Sequence, residues 1–195
     1  MPPTAPSSAA AATAVTPIFS QLLAVGMPAG FVLINENASE RRYLREAVLR
    51  GENEETWTQM LSVTGTRDLA QKPDATPERF AETISENFQR ACPESFNQKT
   101  LAADDSNGYQ RYIAVMSCGT AGAAATPISE TALIMVVKGR RDYYTVQWAE
   151  RGAASKDALS IDTRKWVQRY RLLMPVRVCD RVADEAPPYP SCLKQ

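Results

Sequence analysis

Apolar residues run unbroken from Leu133 to Val137, a length that suits a strand buried on both faces better than a helix. Polar Gly139-Arg140-Arg141-Asp142 follows shortly after. Then comes Tyr143–Trp148, rich in the aromatic and β-branched side chains that fit a pleated surface. The pattern predicts a β-hairpin over Thr131–Ala149, set in the middle of a sheet because so apolar a first strand needs cover on both sides.

Taken from the N-terminus, Ile18–Val25 is a short apolar lead-in, helical or extended, closed by Gly26 and Pro28. Phe31–Ile34, Tyr43–Leu49 and Thr56–Thr66 read as strands. In the last of these Trp57, Met60 and Leu61 also share a helical face, but the Thr and Val content beyond Leu61 favours a strand. The first helix opens at Thr76-Pro77-Glu78, with a hydroxyl N-cap, proline at the first position and an acid in the first turn. Phe80, Ile84 and Phe88 form its apolar stripe, and Pro93 ends it just after Cys92.

Phe96–Ala102 and Tyr109–Cys118 predict a second hairpin, turned through Asn107-Gly108. Gly119–Pro127 and Gly152–Ser160 read as loops. Ile161–Met174 is a second helix, with Trp166, Tyr170 and Leu173 on one face. Val176–Cys179 is short and extended, and a Pro-rich tail carries Cys192. This order predicts an α+β fold: an antiparallel sheet, its strands in a meander, covered by two helices at about 76–92 and 161–174.

Composition refines that picture at the N-terminus. Residues 1–16 are mostly Ala, Pro, Ser and Thr without a charged side chain, which predicts a flexible or extended segment ahead of one domain over 17–195. The segment lacks the basic and strongly apolar regions of a secretory signal. In an exported protein it would follow a removed signal or lipid anchor.

Charge and residue usage exclude several classes of function. Lys plus Arg and Asp plus Glu both number 22, so no global field draws nucleic acid or an anionic membrane. Arg164, Lys165, Arg169 and Arg171 read as the solvated face of the second helix. No run approaches the ~20 apolar residues of a spanning helix. Histidine is absent, which removes Ser–His and Cys–His catalytic pairs, His-containing zinc sites and His-ligated haem.

Cys92, Cys118, Cys179 and Cys192 form no C-x-x-C pair. Their even number and wide spacing favour two disulfides and an oxidising compartment, with buried reduced thiols as the alternative. Of the three possible connectivities, Cys92 with Cys118 and Cys179 with Cys192 is the expected one. A helix packed on its following hairpin brings the first two together, and Cys179 is the nearest cysteine to the tail.

Candidate chemistry is sparse. Glu52, Glu54 and Glu55 beside Trp57 are in the company a glycosidase acid would keep, although a strand-connecting acidic loop is commoner. Asp104 and Asp105 offer oxygen ligands suited to calcium, yet their spacing matches no EF-hand. Glycine-rich phosphate cradles are lacking, and Ser62, Ser117 and Ser129 have no histidine to activate them. No cofactor and no tightly bound transition metal are expected. The aromatic residues Trp57, Tyr109, Tyr112, Tyr144 and Trp148 are the candidate binding surface, although alternate residues of any strand must face a core.

Gly51-Glu52-x-x-Glu55-x-Trp57-Thr58-x-Met60, Ala91-Cys92-Pro93, Asn107-Gly108-Tyr109, the Gly139-to-Gln147 hairpin and Cys179-Asp180 together resemble a family of small exported proteobacterial proteins of unknown function. The resemblance spans roughly Phe31 to Cys192, and the cysteines fall where that family's cysteines fall. Gly119 departs from its Cys-Pro motif, and Cys179-Asp180-Arg181-Val182 departs from its Cys-Asp-Thr-Arg. The order of strands and helices also looks like the sandwich of the photosystem accessory protein PsbP and the nuclear transport factor Mog1.

The resemblance implies export but transfers no active site. The expected function is a non-catalytic periplasmic or secreted binding or assembly module, meeting a protein partner in the cell envelope. The alternatives are a small-ligand carrier with an apolar pocket between sheet and helices, and a carboxylate-based hydrolase with converging acids.

Overall fold

The computed structural model describes residues 12–121 and 127–194. The predicted central hairpin is present as β8 (Ile128–Lys138) and β9 (Tyr143–Ala153), paired from Ile128↔Ala153 to Lys138↔Tyr143. It lies within an antiparallel seven-stranded sheet. The other members are β3 (Phe31–Ala38), β4 (Arg42–Leu49), β5 (Gln59–Thr66), β6 (Phe96–Ser106) and β7 (Tyr109–Ala121). The order across the sheet is β3-β4-β5-β9-β8-β7-β6, so β9 occupies the middle.

Two-residue periodicity divides that sheet into two cores. Leu133, Met135, Val137, Tyr144, Val146 and Trp148 face one side, and Ala132, Ile134, Val136 and Tyr143 face the other. The second side is covered by α1 (Pro77–Ala91), through Ala81 and the stripe Phe80, Ile84 and Phe88. Thr76 caps this helix by accepting the Arg79 N–H at 3.2 Å, as the sequence predicts.

The first side is covered differently from the expectation. Helix α2 (Thr163–Leu173) contributes Trp166 and Leu173, and a second antiparallel sheet lies beside it. That small sheet has the order β1-β2-β10, from β1 (Ala12–Ile18), β2 (Gln21–Met27) and β10 (Val176–Asp180). The fold is α+β, but one helix covers one face while a helix and a small sheet share the other.

The N-terminal expectation is corrected accordingly. Ala12–Thr16 belong to β1 and pair with Leu23–Met27, so flexibility does not extend to residue 16. Small side chains suffice here because the ladder supplies backbone hydrogen bonds and Val15 packs on Leu22 and Ala24. Residues 1–11 lie outside the described residues. The expected Gly119–Pro127 loop is shortened, since β7 continues to Ala121, and its residues 122–126 also lie outside the described residues.

The β6–β7 turn is the one the sequence predicts: Asn107 and Gly108 have φ of 54° and 78°, both positive as a two-residue hairpin turn requires. No helix among the described residues is long and apolar enough to cross a membrane.

Candidate functional site

Several connections meet at one end of the sandwich: the β1–β2 turn, the β6–β7 turn, the β8–β9 turn, the end of β5 and the end of β10. Two polar side chains are fully buried there, Gln21 at 2% and Asp142 at 1% exposure. Polar groups at such depth are stable only when hydrogen-bonded, and both are.

Gln21 opens β2, and its amide is used on both sides. The carbonyl oxygen accepts the Arg140 backbone N–H at 2.8 Å. The amide nitrogen donates to the Tyr109 hydroxyl at 2.8 Å and to Asp180 Oδ1 at 3.1 Å. Gly139 is required beside it, because a Cβ there would stand 2.5 Å from Gln21 Oε1. Asp180 in turn pairs with the Arg140 guanidinium at 2.5 Å. One buried amide thus positions Tyr109, Asp180 and the Arg140 backbone together.

Asp142 performs the matching task on the other side of the turn. Its carboxylate accepts from the Ser20 N–H at 3.1 Å, the Ser20 hydroxyl at 2.5 Å and the Asp68 N–H at 2.8 Å. Burial alone would raise its pKa, but these bonds and the nearby Arg141 hold the carboxyl below the usual range. Tyr144, whose hydroxyl donates to Ile18 O at 3.3 Å, is shifted the other way by burial and by the Asp142 charge. A carboxylate so fully engaged and a phenol kept protonated do not form an acid–base pair. The outer flank is an exposed ion pair, Arg141 to Asp68 at 2.8 Å.

Beside this frame a groove of about 300 Å³ opens to solvent, lined by Asn107, Tyr109, Arg140, Asp180, Val182 and Ser191. Val182, 54% exposed, also borders a neighbouring hollow of about 440 Å³ that Asp184 and Tyr189 help to line. Between the two sheets the gap lined by Leu23, Val25, Ala47, Leu61 and Val63 measures only about 20 Å³. That is little more than the space one water needs.

The predicted aromatic surface does not form. Trp57, Tyr112, Tyr144 and Trp148 are all buried, at 6%, 6%, 0% and 2% exposure. Strand alternation sends Tyr144 and Trp148 to the small-sheet face, while Tyr112 and the loop residue Trp57 join the core against α1. Their polar atoms find internal partners, such as Gln59 for Trp148 and Thr100 for Tyr112. Tyr109 alone of the candidates lines the groove.

The acidic candidates also resolve into structure. Glu52 accepts the Thr58 N–H and hydroxyl at 3.0 and 2.5 Å, and these bonds outweigh slight burial to lower its pKa. Glu54 and Glu55 stand exposed on the same loop. Asp104 forms an ion pair with Arg111. No cluster of three or more Cys, Asp or Glu suited to a metal occurs among the described residues. The cysteines are joined as Cys92–Cys118 and Cys179–Cys192, each with a Cα separation of 5.7 Å.

Gln21, Asp142, Arg140 and Asp180 are the residues that sequence reasoning missed. Gln21 carried one signal, as the lone amide inside the apolar run Ile18–Val25. Asp142 resembled ordinary turn chemistry.

No family model matches the chain, and no curated protein matches it. Among solved structures the chain is similar to cyanobacterial PsbP (CyanoP) from Synechocystis sp. PCC 6803, known from a solution structure. Identity is 12%, the match covers 87% of this chain and 92% of that one, and the TM-score is 0.43. A likeness this loose carries neither fold detail nor function across.

Proposed function

We propose that this protein is a non-catalytic binding or assembly module of the cell envelope, engaging a partner protein through the hairpin end. The observation that carries this reading is the preorganised, open groove beside Gln21. Its polar lining is held in place by a buried side chain, while the interior between the sheets is filled. A carrier for apolar ligands needs a cavity of hundreds of Å³ between its layers, not a gap of about 20 Å³. A carboxylate hydrolase needs a proton-donating acid, whereas Asp142 is held ionised.

Strand addition at a sheet edge is disfavoured as the mode of contact. Edge strand β3 is bulged between Leu33 and Asn35, edge strand β6 between Thr100 and Ala102, β1 carries Pro17, and β10 is only five residues long. The disulfides support an oxidising compartment, hence the periplasm or exterior.

A photo-crosslinking amino acid at Asn107, at the rim of the groove, tests the reading in living cells. The expected result is a discrete protein adduct from Asn107 and none from Glu82 on the exposed face of α1. No adduct at Asn107, or equal adducts at both positions, would overturn it.

A further inference from the structure

The chain is neutral overall, yet the fold gathers arginines from distant stretches at the hairpin end. Arg41 and Arg42 lie at the β3–β4 turn, Arg67 just after β5, Arg140 and Arg141 at the β8–β9 turn and Arg181 just after β10. All are exposed. Direct contacts join them into one surface. The Arg67 N–H donates to Arg41 O at 3.0 Å, and the Arg67 guanidinium lies over the Phe19 ring, 4.8 Å from its centroid. Arg181 Nη1 donates to the Phe19 carbonyl at 3.3 Å. Arg141 and Arg140 flank this group through Asp68 and Asp180.

Apart from the exposed Glu40, the counter-charge at this end is already committed. Asp142 is buried in its own hydrogen bonds, while Asp68 and Asp180 hold Arg141 and Arg140. Among the described residues, Arg41, Arg42, Arg67 and Arg181 have no carboxylate within ion-pair distance. At the centre stands Phe19 with φ of 53°, a left-handed conformation that a bulky side chain adopts at a cost of about 1–3 kcal/mol. Its strained turn puts one aromatic ring, and the carbonyl that accepts from Arg181, at the focus of the arginines.

We infer that this arginine end is the docking surface for an acidic face of the partner protein, an inference that rests on the function proposed above. Guanidinium groups match carboxylates bidentately, and arginine with a partly buried aromatic is the composition of protein interfaces. Glu40, Asp68 and Asp180 interrupt the positive field, which sets a register with a structured partner. A fluid anionic lipid surface sets no register, and those acids only subtract from its attraction. Charge gathered at one end of a neutral molecule also orients the encounter.

The test uses the full chain and a fluorescent deca-glutamate peptide at low salt, with phosphatidylglycerol vesicles as the comparison. The quadruple variant R41Q/R67Q/R42Q/R181Q removes the arginines without a carboxylate partner. R79Q/R90Q/R164Q/R171Q makes the same charge change on the two long helices. The expected result is peptide affinity weakened at least about tenfold in the first variant and hardly at all in the second, with melting temperatures unchanged.

Equal losses in both variants, or vesicle binding without peptide binding, would overturn the inference. The Asn107 adduct separates the two proposals. An adduct that persists undiminished in the first variant leaves the binding module standing and removes the arginine surface. Absence of any adduct removes the module itself, whatever the peptide result.

Discussion

The Gln21 side-chain carbonyl accepts the Arg140 backbone N–H at 2.8 Å, tying the first residue of β2 to the central hairpin turn across 119 positions of sequence. This contact joins the small sheet to the large one at the end where the groove opens. Replacing Gln21 with leucine leaves that N–H without its partner and removes the donor shared by Tyr109 and Asp180. The expected loss is about 1–3 kcal/mol in urea unfolding. Gln21→Glu is expected to be worse, because its carboxylate would stand beside Asp180 Oδ1, now 3.1 Å from the amide nitrogen. Stability unchanged in both variants would show that water substitutes for the amide.

Asp142→Asn is expected to lower stability at neutral pH by about 1.5–3 kcal/mol, the worth of hydrogen bonds to a charged group. The sign of the pH dependence follows from the lowered folded-state pKa. A depressed carboxyl stabilises the fold above its unfolded value, about 3.9, and that contribution is lost as pH falls through the folded pKa. The gap between wild type and variant is therefore widest above about pH 5 and narrows below about pH 4. A gap independent of pH would mean that the charge at this position is not what stabilises.

The two helix faces differ in the cost of truncation. Trp166 is 3% exposed and lies in the core beneath the small sheet, so Trp166→Ala is expected to cost about 3–5 kcal/mol. Phe80 is only half-buried, its ring 5.3 Å from that of Tyr143, so Phe80→Ala is expected to cost less, about 1–3 kcal/mol. Comparable losses at the two positions would show that α1 covers its face more tightly than its exposure implies.

Much of this architecture was legible because its signals are local. The Leu133–Val137 run, the Asn107-Gly108 turn and the Thr76-Pro77 cap each dictate their conformation within a few residues. The small sheet was not legible. β1 consists largely of Ala and Thr, which have the composition of a linker, and it becomes a strand only because β2 lies alongside it. The site was hidden for the same reason, since Gln21 meets the Arg140 backbone, and Ser20 meets Asp142, only after the two sheets are assembled.

Truncation probes that lesson directly. Removing residues 1–16 deletes most of β1 and uncovers the β2 ladder from Leu23 to Met27. The melting temperature is expected to fall by several degrees, since about 1 kcal/mol shifts a domain of this size by roughly 2–4 °C. An unchanged value would mean that β1 contributes no net stability.

The disulfides give the sharpest expectation, because they tie down unlike elements. Cys92–Cys118 joins the end of α1 to β7 across 26 residues, two elements already held together by the core around Ala114 and Met116. Cys179–Cys192 spans 13 residues and fixes the tail, where Cys192 is 1% exposed against Leu22 and Ala24. In the chain-entropy model the two loops are worth roughly 3.5 and 3 kcal/mol, nearly the same. Their local consequences should differ.

With Cys179 and Cys192 both changed to alanine, few apolar contacts remain to hold the tail. Trypsin is then expected to cut at Arg181 while the sheets stay folded. With Cys92 and Cys118 changed to alanine, the melting temperature falls but no new cleavage site opens. Non-reducing peptide maps of the unaltered protein should show only the two stated linkages. A Cys92–Cys179 or Cys92–Cys192 peptide, or a tail that resists trypsin without its disulfide, would show this account of the C-terminal segment to be wrong.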